Sequence, residues 1–298
     1  MSRGVYNREL PEETRRRLKE LDNLLSCSFE DKIAMSEKII KNGMERGFAA
    51  LLYSGGRDST VLLSLMKRRE REVIVIHNNT TLGDPKNLDF IRKTVSGMKY
   101  FETKASPWEM WSERKHFPIF PKRGFTKMRD RYPECVFSPV QCCYQNKEKY
   151  SNSLFKKNNI GVTFWGNRAA EGNRRKLAFV DNGFIFKPKK YPWWNCYPLQ
   201  HWTDADIDRY LEKFFPEYPR HKNYECGCLC CGIDWGYYPN NLSKLFKNDP
   251  EKWEKCMNTD YGRMLAKING LDETRIKEII REKPELLTRY RYARKGRK

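Results

Sequence analysis

The sequence has no run of about eighteen apolar residues, and its mean hydropathy is −0.84, so no segment is suited to crossing a bilayer. The opening residues, Met1-Ser-Arg-Gly-Val-Tyr-Asn, lack a signal-peptide core, so the expected location is the cytoplasm. No internal repeat is visible, which argues against solenoids and propellers. No Gly-Lys-Ser/Thr follows a glycine-rich turn, so the Walker phosphate loop is absent. Acidic residues are scarce beside basic ones, 38 against 58, giving a net charge of +20. Such a surface attracts polyanions and anionic small molecules. The 298 residues suffice for one large α/β domain with appendages or for two small domains.

The most informative segment is Leu51-Leu-Tyr-Ser-Gly-Gly-Arg-Asp-Ser-Thr60. The apolar run Ala49–Tyr53 predicts a short buried strand. The turn Ser54-Gly55-Gly56-Arg57-Asp58-Ser59 follows, and then a helical apolar pattern through Val61, Leu62, Leu63, Leu65 and Met66. Glycines let a backbone approach a phosphate or sulfate closely, and the amides at a helix start point at it. The plainer alternative is an ordinary glycine turn between strand and helix.

Helices are expected over Pro11–Leu25 and Phe29–Met44, strands at Ala49–Tyr53 and Val73–His77, a helix at Pro85–Val95 and a strand at Lys99–Thr103. A helix near Asn152–Asn158 precedes a strand over Gly161–Trp165. This alternation predicts an α/β fold, a doubly wound, mostly parallel sheet with helical N- and C-terminal extensions. Asp181-Asn-Gly183 reads as a hairpin turn between extended pieces. Thr203 and Asp206 form a capping-box-like start for a helix running to about Phe214. Cys226–Gly236 is an irregular cysteine-rich loop, and the chain is again helical over 241–246, 250–256, 261–268 and 273–282. The expected divisions are 1–47 (helical), 48–236 (α/β domain with the cysteine loop) and 237–298 (basic and helical).

Ten cysteines in a reducing compartment point to metal ligands or reactive thiols rather than disulfides. Cys142 and Cys143 are adjacent, and Gly227-Cys228-Leu229-Cys230-Cys231 contains a Cys-x-x-Cys. Two such pairs can supply four thiolates. Neighbouring side chains diverge, which suits the separated iron corners of a [4Fe–4S] cubane better than one tetrahedral zinc. The plainer reading makes Cys142 and Cys143 small buried apolar residues. Cys226 and Cys230 are open between ligand, reactive thiol and bystander. The segment Arg281–Lys298, ending Arg-Tyr-Arg-Tyr-Ala-Arg-Lys-Gly-Arg-Lys, suits either nucleic acid or plain solvation. Lys115–Arg131 is a second basic stretch.

These segments, in this order, resemble the phosphoadenylyl-sulfate and adenylyl-sulfate reductase family, within the PP-motif superfamily of adenine nucleotide alpha hydrolases. Ser54-Gly-Gly-Arg-Asp-Ser59 is similar to its first motif. Val75–Ile91 resembles its second, with Asn where an Asp-Thr-Gly turn is usual. Cys142-Cys143-Tyr-Gln-Asn-Lys147 resembles its Cys-Cys-x-x-x-Lys, and Gly166-Asn-Arg-Ala-Ala-Glu-Gly-Asn-Arg-Arg175 its Gly-x-Arg-Ala-x-Glu-x-x-x-Arg. Tyr197–Asp206 and Gly227–Cys231 are similar to its last two motifs.

The resemblance implies a Rossmann-like fold and an enzyme that binds an adenine nucleotide and reduces or transfers its sulfur. Ser54, Gly55, Gly56, Asp58, Ser59, Thr80, Gly83, Gly166 and Glu171 would face the nucleotide, with Asp58 either holding magnesium if that nucleotide is ATP or simply capping the helix. Cys142, Cys143, Cys228 and Cys231 would hold the cluster. Lys147, Arg168 and Arg175 would stabilise the anion; the plainer reading of Arg168, Glu171 and Arg175 is a surface ion-pair network. The nucleotide would be adenylyl sulfate, its 3′-phosphate or ATP, and a thioredoxin-like dithiol the reductant. The family's Glu-Cys-Gly-(Ile/Leu)-His segment has no counterpart here. Cys256 is one nucleophile candidate, against the plainer reading of a helix-face thiol, and Cys226 and Cys230 are the others. The alternative activity is an ATP-dependent sulfurtransferase acting on tRNA or DNA, bound through the basic C-terminal segment.

Overall fold

The computed structural model of the protein describes residues 11–67, 73–105, 143–219, 228 and 249–259. Cys142, Cys226, Cys230, Cys231, the stretch 115–131, the boundary near 237–240, the helices expected over 241–246, 261–268 and 273–282, and the basic segment 281–298 lie outside the described residues.

Two helices open the described chain. Helix α1 (Glu12–Leu25) begins after Pro11, whose fixed φ suits a helix start, and carries Glu12 and Glu13 in its first turn. It buries Leu18 and Leu21. Helix α2 (Phe29–Met44) is capped by Ser28, whose hydroxyl accepts from the Asp31 amide at 3.1 Å. Strand β1 (Ala49–Leu52) is buried along its whole length. Helix α3 (Arg57–Lys67) is buried from Ser59 to Met66, as expected of a helix covered on both sides. Next come β2 (Val73–Asn79), α4 (Pro85–Thr94) and β3 (Tyr100–Lys104). After a π-helical turn at Tyr144–Glu148 follow α5 (Lys149–Lys157), β4 (Val162–Phe164), a 3₁₀ turn (Ala169–Glu171) and α6 (Asn173–Asn182). The last elements are β5 (Ile185–Phe186), β6 (Trp194–Cys196), α7 (Asp204–Phe214) and α8 (Pro250–Met257).

The strands form one mostly parallel sheet of order β3-β2-β1-β4-β6-β5. Strand β1 pairs in parallel with β2 on one side and β4 on the other. The chain therefore winds outward from β1 and then returns to its other flank. That reversal is the topological switch at which open α/β sheets bind ligands, beyond the carboxyl ends of the strands. The expected α/β, doubly wound fold is the one observed.

One expected turn is corrected. Asp181-Asn182-Gly183 is not a hairpin: Asp181 and Asn182 end α6, and Gly183 follows with φ +68°, its amide bonded to the Phe179 carbonyl at 2.7 Å. A glycine entering the left-handed region just after a helix is a stop signal as readily as a turn signal. The antiparallel β5–β6 pair is closed instead by residues 187–193.

The chain divides into two compact units of interleaved sequence. The first lies within Met1–His77, Thr94–Phe101 and Ser153–Arg220. Its core packs Ala50, Leu52, Ile74, Ile76, Phe155, Ile160 and Trp193. Trp202, wholly buried, lies edge-on to Phe29 and donates to Ser36 Oγ at 2.8 Å. The second unit lies within Asn78–Lys93, Glu102–Asn152 and His221–Lys298. There Asn78 Oδ1 accepts from both Ser151 and Thr103, tying the end of β2 to β3 and to the start of α5. No helix among the described residues is long and apolar enough to cross a membrane.

Candidate active site

The turn between β1 and α3 is closed by its own side chains. Ser54 Oγ is 3.1 Å from Ser59 Oγ and accepts from the Gly56 amide at 3.2 Å. Ser59 and Thr60 donate their hydroxyls to the Gly56 carbonyl at 3.0 and 2.9 Å. Gly55 takes φ +73°, a conformation that disfavours side chains. The first-turn amides of α3 have no acceptor within their own helix, which is the arrangement that suits an anion and makes this turn the candidate cradle.

The exit of β4 lies directly against that cradle. A Cβ placed on Gly166 would stand 2.9 Å from the Ser59 amide nitrogen and 3.0 Å from the Asp58 carbonyl carbon. Both neighbours are backbone atoms, so only glycine lets the two segments meet. Two residues later, Arg168 is 2 % exposed. Its Nε donates to Asp58 Oδ1 and its Nη2 to Asp204 Oδ1, each at 2.8 Å, and its Nη1 reaches the Trp202 carbonyl at 3.5 Å. Glu171 accepts from the Arg168 amide at 2.8 Å and pairs with Arg175 Nη1 at 2.7 Å. Arg175 lies in the first turn of α6, with its side chain 40 % exposed.

This network sets the charges. Burial pushes the Asp58 carboxyl above its ordinary range, with Arg168 opposing the rise. Hydrogen bonding from Arg168 holds Asp204 below its ordinary range. Arg57 extends the chain of charge to Asp208 at 2.6 Å and to Asp204 at 3.1 Å. Asp204 and Arg57 were not among the expected site residues. Their one sequence signal is the doubled acid of Trp-Thr-Asp-Ala-Asp, where Asp206 takes the capping position, accepting from the Thr203 amide at 2.7 Å, and leaves Asp204 for another use.

Other expected site residues belong to the second unit. Thr80 is buried, and its Oγ1 is 3.1 Å from Cys228 Sγ. The Gly83 carbonyl accepts from Lys252 Nζ at 3.1 Å. Cys143 and Cys228 are both half-buried and outside any disulfide. Cys143 immediately precedes the π-helical turn that carries half-buried Lys147. Such turns recur at functional positions. Two thiols in one unit, one against a hydroxyl, fit a thiolate-bound cluster in their chemistry. Among the described residues no group of three or more His, Cys, Asp or Glu gathers as one metal ion would require. Cys256 lies in α8.

The sequence profile of the phosphoadenosine phosphosulfate reductase domain matches residues 49–228, more than half of the chain. The chain belongs to that family. Its match runs from the first residue of β1 to Cys228. Among solved structures the reductase-family chain is similar to a phosphoadenylyl-sulfate reductase from Candida auris in a phosphate complex. The identity is 13 %, the coverage 69 % of this chain and 88 % of that one, and the TM-score 0.41. It is also similar to an NH3-dependent NAD synthetase from Campylobacter jejuni, at 14 % identity, 90 % and 98 % coverage and a TM-score of 0.34. An FMN adenylyltransferase from Candida glabrata in complex with ATP matches at 15 % identity, 67 % and 63 % coverage and a TM-score of 0.34. No curated protein matches.

Proposed function

We propose that this chain is a sulfonucleotide reductase-like enzyme that binds adenylyl sulfate or its 3′-phosphate and releases its sulfur as sulfite. The observation that carries the reading is the contact of Gly166 with the first turn of α3, inside the span matched by the reductase family. It supports an anion site built from the amides of α3 and the hydroxyls of Ser54 and Ser59. Arg168 acts as a positioning residue, because its guanidinium is committed to Asp58 and Asp204. Arg175 and Lys147 are the cations proposed for the sulfate and phosphate oxygens. Thr80, Gly83 and Glu171 are proposed as nucleotide-binding residues from the family motifs they belong to. Asp58 would hold magnesium only for ATP.

In the reaction a cysteine thiolate, with Cys256 as candidate, attacks the sulfuryl sulfur. A sulfur–sulfur bond forms and the sulfur–oxygen bond to phosphate breaks, so the nucleotide leaves as its phosphate. One thiolate of a thioredoxin-like dithiol then attacks the enzyme sulfur and forms a mixed disulfide as the sulfur–sulfur bond to the sulfite breaks, and its second thiol releases the enzyme cysteine. Sulfite departs, the dithiol becomes a disulfide, and the two electrons account for sulfate becoming sulfite. Cys142, Cys143, Cys228 and Cys231 would hold a [4Fe–4S] cluster, which supplies a field that polarises the sulfate when bound.

Anaerobic incubation with each sulfonucleotide and thioredoxin tests the activity. Sulfite and nucleotide phosphate in equal amounts are expected, and neither product from either substrate would remove the reading. Iron and acid-labile sulfide measured on the same preparation test the cluster separately. The net charge of +20 favours a second reading, in which ATP adenylates an oxygen of tRNA or DNA and a sulfur nucleophile displaces AMP. Pyrophosphate release dependent on nucleic acid would select it.

A further inference from the structure

We propose that the amino-terminal edge of the sheet binds single-stranded nucleic acid, at the opposite end of β1 from the nucleotide cradle. This inference goes beyond the sulfonucleotide reading and does not rest on it. Strands β1, β4 and β6 are parallel, so they begin at the same edge. At about 4.8 Å per strand, their three starts span about 10 Å.

Phe48, immediately before β1, is 73 % exposed, the most exposed large apolar side chain among the described residues. Its backbone is fixed: the carbonyl accepts from the Gly161 and Val162 amides at 2.9 and 3.2 Å. A ring held outward on a fixed backbone is a different matter from a ring exposed on a loose end. The next strand start is tied in by the Trp194 amide, which donates to the Gly161 carbonyl at 2.8 Å.

Cations lie on the aromatic rings of this edge. The Arg46 guanidinium is 4.6 Å from the Trp194 ring centre. The turn before β6, closed by the Tyr191 amide on the Pro188 carbonyl, presents exposed Lys189 and Lys190. Lys190 Nζ is 5.4 Å from the Tyr191 ring, and Tyr191 stacks on buried Trp193 with centroids 4.8 Å apart and planes 11° apart. Phe155 packs edge-on against the same Trp193 at 5.1 Å. The platform is therefore rigid before any ligand arrives. Glu45 is the acidic neighbour in the same turn as Arg46.

Flat rings interleaved with cations suit alternating bases and phosphates, and they suit single strands, whose base faces are open. A duplex would offer the phosphates but not the faces. An acidic protein would satisfy the cations and leave Phe48 without a partner.

The test uses the full chain and a fluorescent oligothymidylate, followed by anisotropy over a salt series, with poly-glutamate as competitor. Thermal unfolding checks that the variants fold. Phe48→Ala is expected to weaken binding about tenfold at every salt concentration. Lys189→Glu with Lys190→Glu is expected to weaken binding and flatten the salt slope, by about 0.7 for each phosphate that is no longer neutralised. Photocrosslinks from bromouracil-substituted strands should fall on peptides containing Phe48, Tyr191 or Trp194. Unchanged binding in both variants, or crosslinks confined to residues 281–298, would overturn the proposal. So would displacement by poly-glutamate as effective as displacement by unlabelled oligonucleotide, which would point to an acidic protein instead.

Discussion

Arg168 Nε lies 2.8 Å from Asp58 Oδ1, joining the exit of β4 to the first turn of α3 across 110 positions of sequence. The same guanidinium holds Asp204 at the start of α7. One buried fork thus ties the exit of β4 to the starts of α3 and α7. Arg168→Met leaves half-buried Asp58 without this counter-charge. Removing one partner of a buried pair costs about 3–5 kcal/mol. About 3 kcal/mol is expected here, because the Asp204 side chain is 67 % exposed and keeps most of its hydration. Urea unfolding measures this loss. Combining Arg168→Met with Asp58→Asn should restore part of it, since the stranded charge is then gone. Arg168→Lys should behave nearly as badly, because an ammonium cannot span two carboxylates in the guanidinium's fixed geometry.

Gly166→Ala tests whether the cradle depends on backbone contact. The added methyl group would meet the Ser59 nitrogen at 2.9 Å, and backbone cannot step aside as a flexible side chain can. Overpacking of this kind costs about 1–3 kcal/mol. The cost falls on the loop that is to receive the anion, so affinity should drop at least as steeply as stability. Calorimetric titration with each sulfonucleotide, beside thermal unfolding without ligand, separates the two. Unaltered affinity would place the anion elsewhere.

Much of this arrangement was legible in the sequence because it is local. The alternation of Ala49–Tyr53, Val73–His77 and Gly161–Trp165 with helical segments specified a parallel sheet, since strands buried on both faces must be apolar throughout. The Thr203–Asp206 cap could be read from spacing alone. Asp181-Asn-Gly183 misled because a left-handed glycine ends a helix as well as it turns a hairpin. Here Phe179, buried with Leu21, and buried Val180, whose carbonyl accepts from Arg17 at 2.6 Å, made the preceding segment a helix. The commitment of Arg168 to Asp58 and Asp204 could not be read at all. It depends on residues 110 and 36 positions away.

Thr80 and Cys228 give the proposed cluster a test that does not depend on activity. Were Cys228 a cluster ligand, the Thr80 hydroxyl 3.1 Å from its sulfur would donate to it and stabilise the reduced, more negative cluster. Thr80→Val removes that donor at nearly constant volume and is expected to lower the reduction potential, whereas Thr80→Ser should keep it near the original. Anaerobic redox titration followed by visible absorbance reads the difference. Equal potentials in all three proteins would separate Cys228 from the cluster.

His201 supplies a pH dependence whose sign can be worked out. The ring is wholly buried; Nε2 donates to the Lys32 carbonyl at 3.1 Å, and Nδ1 has no partner. Burial lowers its pKa from 6.5 to about 4, and the nearby Lys32 charge adds to the effect. The folded pKa lies below the unfolded one, so the unfolded chain takes up the proton first. Stability from this group is complete above about pH 6.5 and declines as the pH falls toward 4. The total loss is about 3 kcal/mol, at about 1.36 kcal/mol per unit. The window lies above the one for Asp206, whose carboxyl is held below its ordinary range: burial alone would raise it, but the hydrogen bonds from Lys32 and Thr203 outweigh that. His201→Gln keeps a donor for the Lys32 carbonyl and removes the titration. Urea unfolding of the native chain at a series of pH values should show the decline, and the variant should be flat until its carboxylates begin to protonate. A variant that follows the native curve would assign the dependence to other groups.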